Sequence, residues 1–156
     1  WGNNSSGQLG LGDTANRGDE PGEMGANLPA VQLDGTATAI TAGSAMTADW
    51  GDTCALLVGG SVKCWGNNSS GQLGLGDIAN RGDEPGEMGA DLPAVQLDGT
   101  ATAITAGGFH KCALLVGGSV KCWGSNYYGG LGLGDYVVRG DNPGEMGANL
   151  PAVDLG

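Results

Sequence analysis

The sequence predicts an all-β fold built from repeated four-stranded units, the organisation of propeller blades. Three observations carry this. The chain repeats itself: residues 1–40 match residues 65–104 at all but two positions, Thr14/Ile78 and Asn27/Asp91. Glycine supplies 33 of 156 residues, and each would cost about 1 kcal/mol inside a helix, whereas tight turns and close backbone contacts use glycine freely. No stretch shows helical periodicity, while short apolar runs alternate with Gly-rich turns.

The elements follow from one unit read in order. ATAITAG (Ala101 to Gly107) alternates small and branched residues and reads as a strand. KCALLV and SVKCWG flank Gly117-Gly118 and read as a hairpin. After Trp123 come a turn-rich stretch, GLGLGD, the long loop RGDNPGEMGANLP and a last apolar segment, PAVDL, expected as the fourth strand. Trp1 to Trp65 is 64 residues, against 58 for both Trp65 to Trp123 and Cys54 to Cys112. The extra six place a surface insertion at 44–53, containing Trp50, where AGSAMTADWGDTC replaces AGGFHKC. The predicted organisation is a partial first repeat (1–40), a second repeat with the insertion (41–98) and a third with a divergent W-G half (99–156). About two and a half repeats make an incomplete propeller. The chain begins inside a motif, so the expectation is an excerpt of a longer repeat protein, or copies that share a ring or filament.

Charge narrows the partners. Six basic residues against 17 acidic ones leave −11, which repels phosphate backbones and offers no cationic cluster to release counterions. Nucleic acid and anionic membrane surfaces are therefore poor partners, and no nucleic acid partner is expected. Runs such as CALLV are too short for a membrane span.

The four cysteines form two pairs ten residues apart, Cys54/Cys64 and Cys112/Cys122. With a three-residue loop Val58-Gly59-Gly60 and Gly60 in the left-handed bulge position, Leu57 faces Ser61 and Cys54 faces Cys64. Cross-strand disulfides follow, which imply an oxidising compartment, extracellular or at the cell surface. Free buried thiols are the alternative. Zinc or redox spacing of the C-x-x-C kind is missing.

CALLVGGSVKCWGNNSSGQLGLGD and AGGFHKCALLVGGSVKCWGSNYYGGLGLGD resemble the repeat of the regulator of chromosome condensation family, with its A-G-x-x-H-x-x-A-L strand, G-x-V hairpin and W-G-x-N-x-x-G-Q-L-G turn. The likeness is to bacterial or algal secreted members with CALL…VKCWG hairpins. It implies propeller blades and binding of protein partners, with a chromatin-bound nucleotide-exchange factor and a secreted β-lactamase inhibitor as precedents. His110 and Tyr128 occupy positions where the family often has His and Tyr. The inserted repeat lacks the His, and Gly130 replaces Gln.

Several motifs invite functional readings. R-G-D occurs at 17–19, 81–83 and 139–141, each before a Pro-Gly turn; an adhesive ligand is one reading, and a turn held by local Asp and Arg contacts is the simpler one. Asp83, Glu84 and Glu87 are candidate calcium ligands, although EF-hand spacing is absent. Asn3, Asn4, Asn67 and Asn68 lie in overlapping N-x-S acceptors for glycosylation. His110, the single histidine, has no nucleophile motif beside it, and near-identical repeats do not build the asymmetric constellation an enzyme needs. No catalytic residue or cofactor is expected beyond the calcium candidates. Tyr127 and Tyr136 replace Ser69 and Ile78 and are the interface candidates.

The functional expectation is a non-enzymatic extracellular structural or adhesive protein whose blades assemble with adjacent blades of the same or neighbouring chains. The alternative is a protein-binding propeller acting through one loop face, like a secreted inhibitor or receptor module.

Overall fold

A computed structural model describes residues 1–44 and 50–156. Two three-stranded antiparallel sheets dominate it. One has the order β1-β2-β3, with β1 at Ala37–Ser44, β2 at Gly51–Leu57 and β3 at Val62–Gly66. The other repeats that order with β4 at Ala101–Ala106, β5 at His110–Leu115 and β6 at Val120–Gly124. The sheet of the second repeat thus starts at Ala37, inside the stretch that sequence matching assigns to the first.

The expected fourth strand is reduced. Lys63 forms an isolated bridge with Ala94, and the Val95 N–H donates to the Val62 carbonyl at 2.8 Å. The third repeat repeats the contact from Val153 to Val120. Pro93 and Pro151 precede these residues and have no N–H to extend the ladder.

The hairpin turns are those the loop composition demands. Gly59 and Gly60 have φ of +92° and +82°, and Gly60 donates its N–H to the Leu57 carbonyl. The resulting register pairs Cys54 with Cys64 and Cys112 with Cys122. Both pairs are disulfide-bonded, with Cα atoms 4.1 Å apart, and no free cysteine remains among the described residues.

The apolar core lies between repeats rather than inside one. Val31, Leu33 and Met88 pack on Ala55, Leu57, Trp65 and Leu92, joining the first repeat to the second. A larger cluster joins the second to the third, with Leu56, Val62, Leu73, Val95 and Leu97 against Ala101, Leu115, Trp123 and Leu150. This placement explains why β2 is buried at nearly every position instead of alternating. It is covered on both faces.

The predicted insertion needs a correction. Residues 45–49 lie outside the described residues, but the end of the segment is not surface decoration. Gly51 to Thr53 begin β2, and Asp52 is 1% exposed. Trp50, half-exposed, packs edge-on against Phe109 of the third repeat, with ring centroids 5.7 Å apart.

Candidate repeat-to-repeat interface

Each W-G turn is organised by one asparagine. Asn68 is fully buried; its side-chain amide donates to the Asp77 carbonyl and carboxylate at 2.9 and 3.0 Å, and its oxygen accepts the Leu73 N–H. Asn4 and Asn126 do the same in their own repeats. Beside it, the Asn67 oxygen accepts from the Gln72 amide and the Ser69 hydroxyl. A glycan on the side-chain nitrogen of Asn4 or Asn68 would break the hub that folds the turn. Those two acceptors are therefore closed in the folded chain, a point hidden in the sequence because hub and acceptor share the same Asn-Ser letters.

The folded turn then receives the next repeat. The Trp65 indole donates to the Gln8 carbonyl and the Trp123 indole to the Gln72 carbonyl, both at 3.0 Å. Gly12 and Gly76 donate to the carbonyls of Gly82 and Gly140, the central residues of the following R-G-D segments. Gly7 and Gly71, with φ of +75° and +68°, sit directly under the backbones of Asp83 and Asp141. A Cβ on Gly71 would lie 2.5 Å from the Asp141 nitrogen.

R-G-D is accordingly a docking turn. Arg81 reaches Asp77 at 2.6 Å and also donates to the carbonyls of Ala79 and Asn80. Glu87 accepts the N–H groups of Gly82 and Glu84, so one candidate calcium ligand closes the loop on itself. Asp83 is half-buried, and Glu84 is exposed. Among the described residues, no group of three or more His, Cys, Asp or Glu side chains is placed to hold a metal ion.

Burial pushes the Asp83 carboxyl up, helped by the negative Glu87 and Glu84; burial and Glu145 do the same to Asp141. A raised carboxyl pKa stabilises the fold fully below the unfolded value of about 3.9, and that contribution is lost as pH rises through the raised value. Glu145 opposes this: against its burial, the N–H groups of Asn142 and Gly140 hold it down, so its contribution is lost as pH falls. The double variant Asp83→Asn/Asp141→Asn is expected to gain stability over the parent at pH 7 and to lose that advantage near pH 3.5, read as urea midpoints across the pH series. A constant difference would refute the assignment.

The third repeat presents the same surface uncovered. Gly130 and Gly134, the counterparts of Gln72 and Gly76, are exposed, and no atom lies within 4 Å of a Cβ built on Gly134. Tyr127, Tyr128 and Tyr136 are 80%, 98% and 76% exposed. Loss of the Gln side chain at Gly130 leaves a groove of about 540 Å³ lined by Phe109, His110, Ser125, Tyr127 and Tyr128. Burial, with Lys111 adding to it, holds the His110 pKa down, and its ring lies over Gly107. Trp1, counterpart of the buried Trp65 and Trp123, is 81% exposed.

Blades joined by backbone contacts of this kind define the chain as part of a β-propeller. Residues 59–114 and residues 101–129 each match the Regulator of chromosome condensation (RCC1) repeat. The Ultraviolet-B receptor UVR8 of Arabidopsis thaliana is 32% identical over 137 residues, covering 86% of this chain and 27% of the receptor. The probable E3 ubiquitin-protein ligase HERC4 of Homo sapiens is 36% identical over 83 residues, 52% of this chain but 7% of the ligase. Among solved structures, human WBSCR16 superposes with a TM-score of 0.60 at 20% identity, over 97% of this chain and 33% of that one. Prp20p of Saccharomyces cerevisiae superposes at 0.62 and 18% identity, over 99% of this chain and 33% of that one. The chain is built of regulator of chromosome condensation repeats and belongs to that family. It spans about a third of these propellers and a smaller share of the curated relatives.

Proposed function

We propose that this chain is a non-enzymatic structural segment of an extracellular repeat protein that binds other repeats of its own kind, in the same or a neighbouring chain. One observation carries the reading: the joint made of an indole N–H, an R-G-D carbonyl and two close-packed glycines forms twice within the chain, and the third repeat exposes the receiving half again. The two disulfides support an oxidising compartment. Exposed Tyr127 and Tyr136 add aromatic contact area at that face.

Light scattering over a dilution series is the test. The chain is expected to self-associate, and Tyr127→Ser/Tyr136→Ala is expected to weaken that association about tenfold or more, as for loss of interface aromatics. A wild-type chain that stays monomeric throughout rejects the reading.

The groove at Phe109, His110, Tyr127 and Tyr128 favours a second reading, a loop face for another protein. Prp20p has been described bound to Kap60 and in binding to Gsp1p and histones. A net charge of −11 gives this chain the sign that suits a basic partner.

A further inference from the structure

The two internal joints are not equivalent. Aligning Cys54 with Cys112 sets Asp52 opposite His110 and Thr53 opposite Lys111 in the two hairpins. Where the first repeat meets the second, the Thr53 hydroxyl donates to the Gln8 carbonyl at 2.9 Å. Where the second meets the third, the Lys111 ammonium instead reaches back to Asp52 of the preceding repeat at 2.6 Å. Both side chains are sealed from water, 1% and 0% exposed.

Four elements converge on this pair. A Cβ on Gly43 of β1 would stand 2.6 Å from the Asp52 carboxylate and 2.7 Å from both the Gly107 carbonyl and the Lys111 ammonium. Only glycine leaves room there. Beyond the ion pair, neither Asp52 oxygen has an aligned hydrogen bond among the described residues, although Gly43 and Gln72 face it. Lys111 additionally donates to the His110 carbonyl at 3.3 Å. Burial pushes Asp52 up and Lys111 down, each against the pull of the other. Such a pair is costly to place and far costlier to break, because removing one partner strands a buried charge.

We propose that Asp52 and Lys111 encode repeat order: the second repeat accepts as its successor only a repeat carrying a cation at the Lys111 position, and rejects one of its own Asp-Thr type. A Thr-bearing successor would leave the Asp52 carboxylate buried without a counter-charge. A Lys-bearing successor placed on the third repeat would meet His110, which offers no carboxylate. The aromatic contact follows the same division, since Trp50 of the second repeat meets Phe109 of the third, and the corresponding residues are Gly108 and Gly51. Trp50 and Asp52 therefore deliver a matched pair of contacts to one particular neighbour. This holds within the chain, and it stands whether or not the chain self-associates.

The test compares urea unfolding of the full chain and three variants. Lys111→Thr copies the residue of the preceding hairpin and is expected to lower the midpoint at pH 7 by about 1–3 M, from the usual penalty for a stranded charge and ordinary urea slopes. Among the described residues Lys111 is the ionisable group facing Asp52, so the variant should regain stability at pH 4 as the buried carboxyl takes a proton. Adding Asp52→Asn to Lys111→Thr should restore most of the loss at pH 7. The decisive variant exchanges the two hairpin types, Asp52→His, Thr53→Lys, His110→Asp and Lys111→Thr, with composition unchanged. It is expected to unfold at a clearly lower midpoint than the parent. A parental midpoint for the exchanged chain overturns the proposal, and so does a Lys111→Thr loss that neither pH 4 nor Asp52→Asn relieves.

Discussion

Trp123→Ala is expected to cost about 3–5 kcal/mol from the lost side chain alone, the usual range for a buried aromatic truncated in a core. Trp123 is fully buried in the cluster that joins the second and third repeats. Its indole N–H also satisfies the Gln72 carbonyl, and leaving a buried acceptor unpaired adds about 1–3 kcal/mol. Stabilities of single domains run about 5–15 kcal/mol, so the variant should be largely unfolded at room temperature or lose most of its urea midpoint. Trp1→Ala is the internal control. Trp1 occupies the same place in the motif but is 81% exposed, so its replacement should stay within about 0.5 kcal/mol. Equal losses for the two tryptophans would show that the motif stabilises its own repeat and not the joint.

Gly71→Ala should also be strongly damaging, at about 2–5 kcal/mol. Two costs combine. An Ala at φ +68° pays the left-handed penalty of about 1–2 kcal/mol, and its methyl would press on the Asp141 nitrogen, a backbone atom of the following repeat that cannot swing aside. Gly129 isolates the second cost. It has the same motif position and φ +70°, but the nearest atom to its Cβ is the Asp135 carbonyl at 4.0 Å. Gly129→Ala should therefore lose only the conformational part. Urea unfolding of both variants measures the difference, and identical losses would remove the close approach from the account.

These comparisons show which features local sequence carries. The hairpin register was legible because Gly59-Gly60 admits few turns, and a three-residue loop then fixes every pair down to Cys54 and Cys64. The repeat period and the all-β class were legible for a similar reason, since near-identical segments rich in glycine restrict both, whereas the boundary at residue 40 falls inside β1. Other features were not. The Asn-Ser run reads equally well as a sugar acceptor or as a turn. Burial of Asn68 makes that residue the hub of the turn, and burial depends on how residues 68 to 77 close around its amide. R-G-D likewise reads as an exposed tripeptide until the preceding repeat is seen packed against it.

The sequence by itself determined the repeat, the strand hairpins, the cysteine pairing and the acidic field, because each follows from neighbours a few residues apart or from composition. Only the tertiary structure decided what the loops are for. Trp123 and Gln72, Gly71 and Asp141, Asp52 and Lys111 lie 51 to 70 positions apart along the chain. Contacts at that range are set by the packing of one blade on the next, and no local preference of the backbone announces them.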